Sequence, residues 1–238
     1  MSFLRAEWRR LAFANYIIDK KLIEKYVPVG TELDLWDGKC YISLVGFMFI
    51  NTKLLGIKIP FHNNFEEVNL RFYVKRNENG KWKRGVVFIK EFVPKRALTF
   101  VANTVYNENY ETLVMEHYWN SEKNRRTVQY RWKKSGNWNS IKIDAGIKKF
   151  KIESNSESEF ITEHYWGYVK VNQTKTNEYE VTHPKWELYH INDYQIDVDF
   201  KTSYGKEFKF LNSVKPSSVM LAEGSEITVE RKSKIIIR

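Results

Sequence analysis

Residues Phe65–Arg76 read FEEVNLRFYVKR. Taken alternately, Val68, Leu70, Phe72 and Val74 form a wholly apolar row, and Glu67, Asn69, Arg71 and Tyr73 form the other. Side chains leave the two faces of a β-strand in alternation, so the stretch predicts a strand with one core face and one polar face. A solvated polar face is the default for an antiparallel sheet. The next β-rich stretch, RGVVFIKEFV (84–93), is apolar on both faces apart from Lys90 and Glu91. That fits a sheet covered on both sides. If the two strands pair, the polar row of the first lines an enclosed cavity, and polar groups converging in a cavity are what a ligand site needs.

In such a cavity Arg71 is a natural anchor for a carboxylate or phosphate, through its planar fork of donors. Glu67 is then its partner in a structural salt bridge, or a general acid or base if burial raises its pKa. Lys90 shares the alternating face of Val86, Phe88 and Phe92, where desolvation would suit it to Schiff-base chemistry. Lysines at strand ends more often reach back to solvent.

Outward from this pair, KCYISLVGFMFI (39–50), ETLVMEHYW (111–119), RTVQYRWKK (126–134) and NWNSIKIDA (137–145) are rich in β-branched and aromatic residues. So are the later segments ITEHYWGYVKV (161–171), EYEVTHP (178–184), WELYHIN (186–192) and SSVMLAEGSEITVER (217–231). Helices are fewer. Trp8, Leu11, Ala12 and Phe13 have helical spacing near the N-terminus, and DKKLIEKYVP (19–28) has Asp19 as N-cap and Pro28 as stop. PKRALTFVANTVYN (94–107) places Pro94 at a first helical turn, and SNSESEF (154–160) offers a capping box, Ser154 to Glu157 or Ser156 to Glu159. The expected class is α+β, dominated by an antiparallel sheet of barrel or sandwich type. No linker or repeat divides the chain, so residues 1–238 are expected to form a single unit.

Bulk properties exclude several functions. The 238 residues carry 16% aromatics, 11 Gly and 5 Pro, a folded composition. One cysteine, Cys40, forms no intramolecular disulfide, and Glu7, Arg9 and Arg10 interrupt the first apolar segment, so an intracellular, cytoplasmic protein without signal peptide or membrane span is expected. The net charge of +10 is scattered rather than gathered in a stripe, which argues against nucleic acid as a partner. Five histidines lack metal-ligand spacing, and there is no phosphate loop, CxxC pair, HExxH or GxSxG; no metal or cofactor is expected.

Six stretches, VPVGTELDLWDGKCYISLVGF (27–47), IPFHNNFEEVNLRFYV (59–74), RGVVFIKEFVPKRAL (84–98), VANTVYNENY (101–110), FITEHYWGYV (160–169) and VTHPKWELY (181–189), occur in this order along the chain. Together the sequence resembles the YqjF-like family of uncharacterised bacterial proteins, a domain of unknown function with an acetoacetate decarboxylase-like fold. The resemblance implies a closed, cone-like antiparallel barrel with an internal cavity and a few flanking helices. It carries the decarboxylase's cavity glutamate onto Glu67, or Glu66, and its lysine pair onto the stretch after the helix at 94–104. Here that stretch is VYNENYE (105–111), which has no lysine, so Schiff-base decarboxylation from that position is not available.

Two functions follow as expectations. One is a protein binding a small polar or anionic organic molecule, with Glu67, Asn69, Arg71, Tyr73, Asn103, Tyr106, Asn107 and Tyr110 as ligand contacts. The other is an enzyme of unassigned type acting on a small organic acid or carbonyl compound, with Glu67 or Lys90 as the catalytic candidate. The asparagines of 103–109 are equally suited to tying a loop down through backbone bonds. A homo-oligomer interface would need an exposed apolar patch, which sequence alone does not reveal.

Overall fold

The computed structural model describes residues 2–237. Its strands are, in order, β1 (Leu4–Ile18), β2 (Glu32–Leu33), β3 (Cys40–Leu54), β4 (Ile57–Lys58), β5 (Phe65–Glu78), β6 (Lys81–Val93), β7 (Tyr110–Thr112) and β8 (Val114–Ser121). They continue with β9 (Arg126–Lys134), β10 (Asn137–Lys151), β11 (Trp166–Lys170), β12 (Lys175–Thr182), β13 (Glu187–Asp197), β14 (Ser218–Val229) and β15 (Ser233–Ile236). Three short helices interrupt them: α1 (Arg96–Val101), α2 (Glu157–Thr162) and α3 (Phe200–Tyr204).

All the strands belong to one sheet, mainly antiparallel, and part of it closes into a ring. The path runs β12, β11, β6, β5, β3, β1, β14 and returns to β12 through Val181↔Val229 and Thr182↔Thr228. The seam between β6 and β11 is parallel and equally narrow, with Trp166↔Gly85 and Gly167↔Val86. The β6–β11 pairing covers an edge that β6 would otherwise present, while β5 lies between β3 and β6. Strands β13, β10, β9 and β8 continue from β14, and their apolar residues Tyr130, Trp132, Ile141 and Ile143 pack in one buried cluster with Phe72 of β5, Tyr16 of β1 and Phe200 of α3. This layer covers the outer face of the ring. Val68, Leu70, Phe72 and Val74 all belong to this outer cluster, while Glu67, Asn69, Arg71 and Tyr73 are buried on the opposite, inner face, as the alternation predicts.

The N-terminal segment is a strand, not the expected helix. Its partner register in β3 slips between Arg9 and Ala12, and Arg10 has φ 54, marking a β-bulge. The extra residue sets Trp8 and Leu11 three apart on one face, a spacing that mimics a helical turn. Asp19 does cap, accepting a hydrogen bond from Lys21 N, but the helix expected there is two 3-10 turns, Lys20–Leu22 and Glu24–Tyr26. Of the two capping boxes in SNSESEF, Ser156 to Glu159 forms, with Ser156 Oγ accepting from Glu159 N at 3.2 Å. Ser156→Ala is expected to lower unfolding free energy by about 1 kcal/mol in urea denaturation. Among the described residues, no helix is long and apolar enough to cross a membrane.

Candidate functional site

A cavity of about 360 Å³ lies inside the ring, and every ring strand contributes to its wall. Trp8, Phe47, Phe88, Trp166 and Val229 are examples from five of them. Leu98 and Val101 of α1 and the loop residues Ile59 and His62 complete the lining. The volume falls in the range of small-molecule sites. Its wall is largely apolar and aromatic, with the polar groups concentrated on the inner face of β5, β6 and β7.

A second bulge decides which residues of β6 enter. Between β5 and β6 the register runs Leu70↔Lys90 and then Arg71↔Phe88, so Ile89 is the extra residue. Without it, alternation would place Lys90 on the cavity side with Val86 and Phe88. The inserted residue reverses the phase. Lys90 is turned out of the cavity, its Nζ 3.4 Å from Glu111 Oε2, and Glu91 is turned in. Asn109 Nδ2 donates to the Ile89 carbonyl at 2.8 Å and so caps the bulge.

The neighbouring segment is equally constrained. After α1 the chain widens into a π-helical turn over Ala102–Tyr106, and Asn107 takes a left-handed conformation (φ 64) that ends it. Asn103 brackets Tyr110, accepting from its N–H at 2.8 Å and donating to its carbonyl at 2.9 Å. These bonds deliver Tyr106, Glu108 and Tyr110 to the cavity.

Four side chains then share one patch of wall. Asn69 of β5 pairs with Glu91 of β6, which pairs with Tyr110 of β7, and Glu67 lies one step along β5. Glu67 accepts from Asn69 Nδ2 and from Tyr110 Oη, both at 3.0 Å. Glu108 faces the patch and accepts from Tyr179 Oη of β12 at 2.7 Å. Glu67 and Glu91 are 3% and 1% exposed, and Glu91 Oε2 and Asn69 Oδ1 are buried without hydrogen-bond partners. Burial pushes Glu67 up to about 7, against the lowering effect of its hydrogen bonds and of Arg71. Burial, with the charge of Glu67, pushes Glu108 up to about 8, and burial with the charges of Glu108 and Glu67 holds Glu91 well above the carboxylate range.

Arg71 lies farther along β5 and also lines the cavity. Its guanidinium sits over the rings of Phe13 and Tyr73, at 5.4 and 5.7 Å. The salt bridge to Glu67 considered from sequence does not form. Its one protein acceptor among the described residues is the Ile161 carbonyl, at 3.4 Å from Nη2, and Nε is buried and unsatisfied. Nearby, His164 Nε2 lies 3.1 Å from Asp34 Oδ2, which also accepts from Arg84 Nε at 2.6 Å. Burial pulls the His164 pKa down to about 4, so the ring is neutral with its proton on Nε2. Nδ1 is left as a buried acceptor without a partner in a residue that lines the cavity.

Of the residues singled out from sequence, Glu67, Asn69, Arg71, Tyr106 and Tyr110 line the cavity. Tyr73 does not; it is buried behind the wall, sharing a 2.6 Å hydrogen bond with Ser43. Asn103 ties the loop, Asn107 is exposed, and Lys90 points away. Glu91, Glu108, Tyr179 and His164 were not among the candidates. Glu108 lay inside VYNENYE, but a loop has no periodicity to show where a side chain points. Among the described residues, no lysine lines the cavity and no three His, Cys, Asp or Glu side chains have metal-holding geometry.

A ring of this kind around a central cavity is the acetoacetate decarboxylase-like fold. The chain superimposes on acetoacetate decarboxylase from Legionella pneumophila with a TM-score of 0.62 and 12% identity, covering 98% of this chain and 87% of that one. The enduracididine biosynthesis enzyme MppR, solved in complex with pyruvate, gives 0.68 and 9% identity over 98% and 91% of the two chains. The chain belongs to the DUF2071 family, an uncharacterized conserved protein family, whose model matches residues 5–226. It is also 28% identical over 190 residues to the uncharacterized protein YqjF of Bacillus subtilis, covering 78% of this chain and 74% of that protein.

Proposed function

We propose that this protein binds a small organic acid inside the ring, with the ligand carboxylate on Arg71 and its body against the aromatic wall. The observation that carries this reading is Arg71 itself: a buried guanidinium, facing a cavity, without an ion-pair partner. A buried charge is costly unless paired, and a planar carboxylate matches the guanidinium fork. The pyruvate complex of MppR lends support, as a small acid held in a protein of the same fold.

A thermal-shift and calorimetric screen of small monocarboxylic and 2-oxo acids tests it. At least one acid is expected to raise the melting temperature, and Arg71→Gln to weaken its binding at least about tenfold. Equal affinity in the variant would overturn the anchor.

A second reading is an enzyme that moves a proton on such an acid, and one observation favours it. Glu67, near 7, stands beside Glu91, which burial holds well above the carboxylate range, and buried carboxyls that exchange protons near neutrality are suited to acid and base roles. Exchange of solvent deuterium into a bound 2-oxo acid, followed by NMR, is expected to require Glu67. Exchange that persists unchanged in Glu67→Gln removes this reading.

A further inference from the structure

Resting on the assignment of a ligand carboxylate to Arg71, we propose that the opposite end of the ligand is a protonated nitrogen, ammonium, amidinium or guanidinium, seated among Glu67, Glu91 and Glu108. The molecule bound is then a small zwitterion rather than a simple acid.

The cluster lacks donors. Tyr110 Oη and Asn69 Nδ2 are already spent on Glu67, and Tyr179 Oη on Glu108. What remains buried and unpartnered is Glu91 Oε2 and Asn69 Oδ1, both acceptors when the carboxyl is ionised. Among the described residues no cation of the protein pairs with any of the three carboxyls: Arg71 is without an ion pair, and the bulge at Ile89 sends Lys90 to Glu111 instead. A carboxylate placed here would bring no donor to these acceptors and would further oppose the ionisation of the three carboxyls. An N–H-bearing cation supplies the missing donors and the missing charge together, and Tyr106, Tyr110 and Tyr179 present aromatic rings to it.

The spacing suits one molecule. Asn69, beside Glu91, and Glu67 are two and four residues from Arg71, or roughly 7 and 13 Å along the strand before the side chains reach inward. Phe88, the cross-strand partner of Arg71, lines the intervening wall. A short methylene chain or a ring bearing the two charges spans that distance with its apolar part against the apolar lining.

Binding of such a cation holds the carboxyls ionised, so protons leave the cluster as the ligand enters. The groups facing it are Glu67, Glu91, Glu108, Tyr110 and Tyr179, with Arg71 beyond. The test is calorimetry at pH 7, in two buffers of different ionisation enthalpy, with α,ω-amino acids of two to six carbons, their methyl-ended counterparts and the matching alkylamines. The expected result is that one amino acid binds at least about tenfold tighter than its methyl-ended acid and releases protons, and that Glu91→Gln removes both differences. If methyl-ended acids bind as tightly in an Arg71-dependent manner, the nitrogen assignment falls and the acid reading stands. If alkylamines bind as well as amino acids and Arg71→Gln changes nothing, the acid reading falls and the carboxyl cluster stands as a cation site. If no amino acid or amine binds, the proposal is overturned.

Discussion

Glu91→Gln is expected to make the ligand-free protein more stable at pH 8, by on the order of 2 kcal/mol, while changing it little at pH 5. Glu67, Glu91 and Glu108 keep their protons in the fold to higher pH than in the unfolded chain, where glutamate titrates near 4.3. Between these values the folded state binds more protons. The cluster's contribution is therefore complete below about pH 4.5 and is lost as pH rises through 7 and 8. His164 works in the other direction: its folded value of about 4 lies below 6.5, so its contribution is present above 6.5 and lost as pH falls towards 4. Comparing variant and parent at each pH cancels the histidine. Urea denaturation at the two pH values gives the answer, and a stability difference independent of pH would mean the carboxyl is not held protonated by the fold.

Gly167→Ala is expected to cost about 2–3 kcal/mol and to unseat Tyr179 from Glu108. Gly167 of β11 pairs with Tyr179 of β12, whose ring lies directly across it. A Cβ at this position would come within 2.2 Å of Tyr179 Cζ and 2.5 Å of its Oη. The ring must swing away, and its hydrogen bond to Glu108 goes with it. A melting temperature lower by roughly 5–10 °C is the expected readout. Adding Tyr179→Leu should restore much of the loss, since the clash is with the ring; a double variant no more stable than Gly167→Ala would place the damage in the backbone of the narrow β6–β11 seam instead.

Much of this fold is legible in the residues. The two rows of β5 separate as alternation requires because the strand is buried on both sides and contains no irregularity against β3. The capping box at Ser156 reports a local backbone preference, and that preference survives into the fold, whereas Pro94 stands just outside α1, before its N-cap Lys95. Two of the misreadings share one cause. At Arg10 a bulge turned a strand into an apparent helix, and at Ile89 another exchanged Lys90 for Glu91 at the cavity wall.

The polar row of β5, the absence of a lysine from VYNENYE and the α+β class could be read from the residues, because each depends on residue identity or on period two along one strand. The tertiary structure alone decided that the ring closes, that Lys90 faces out, and that Glu67, Glu91, Glu108 and Tyr179 meet. Those outcomes depend on register between strands. One inserted residue reverses every side chain beyond it, and no pattern within a single strand records where its neighbour has slipped.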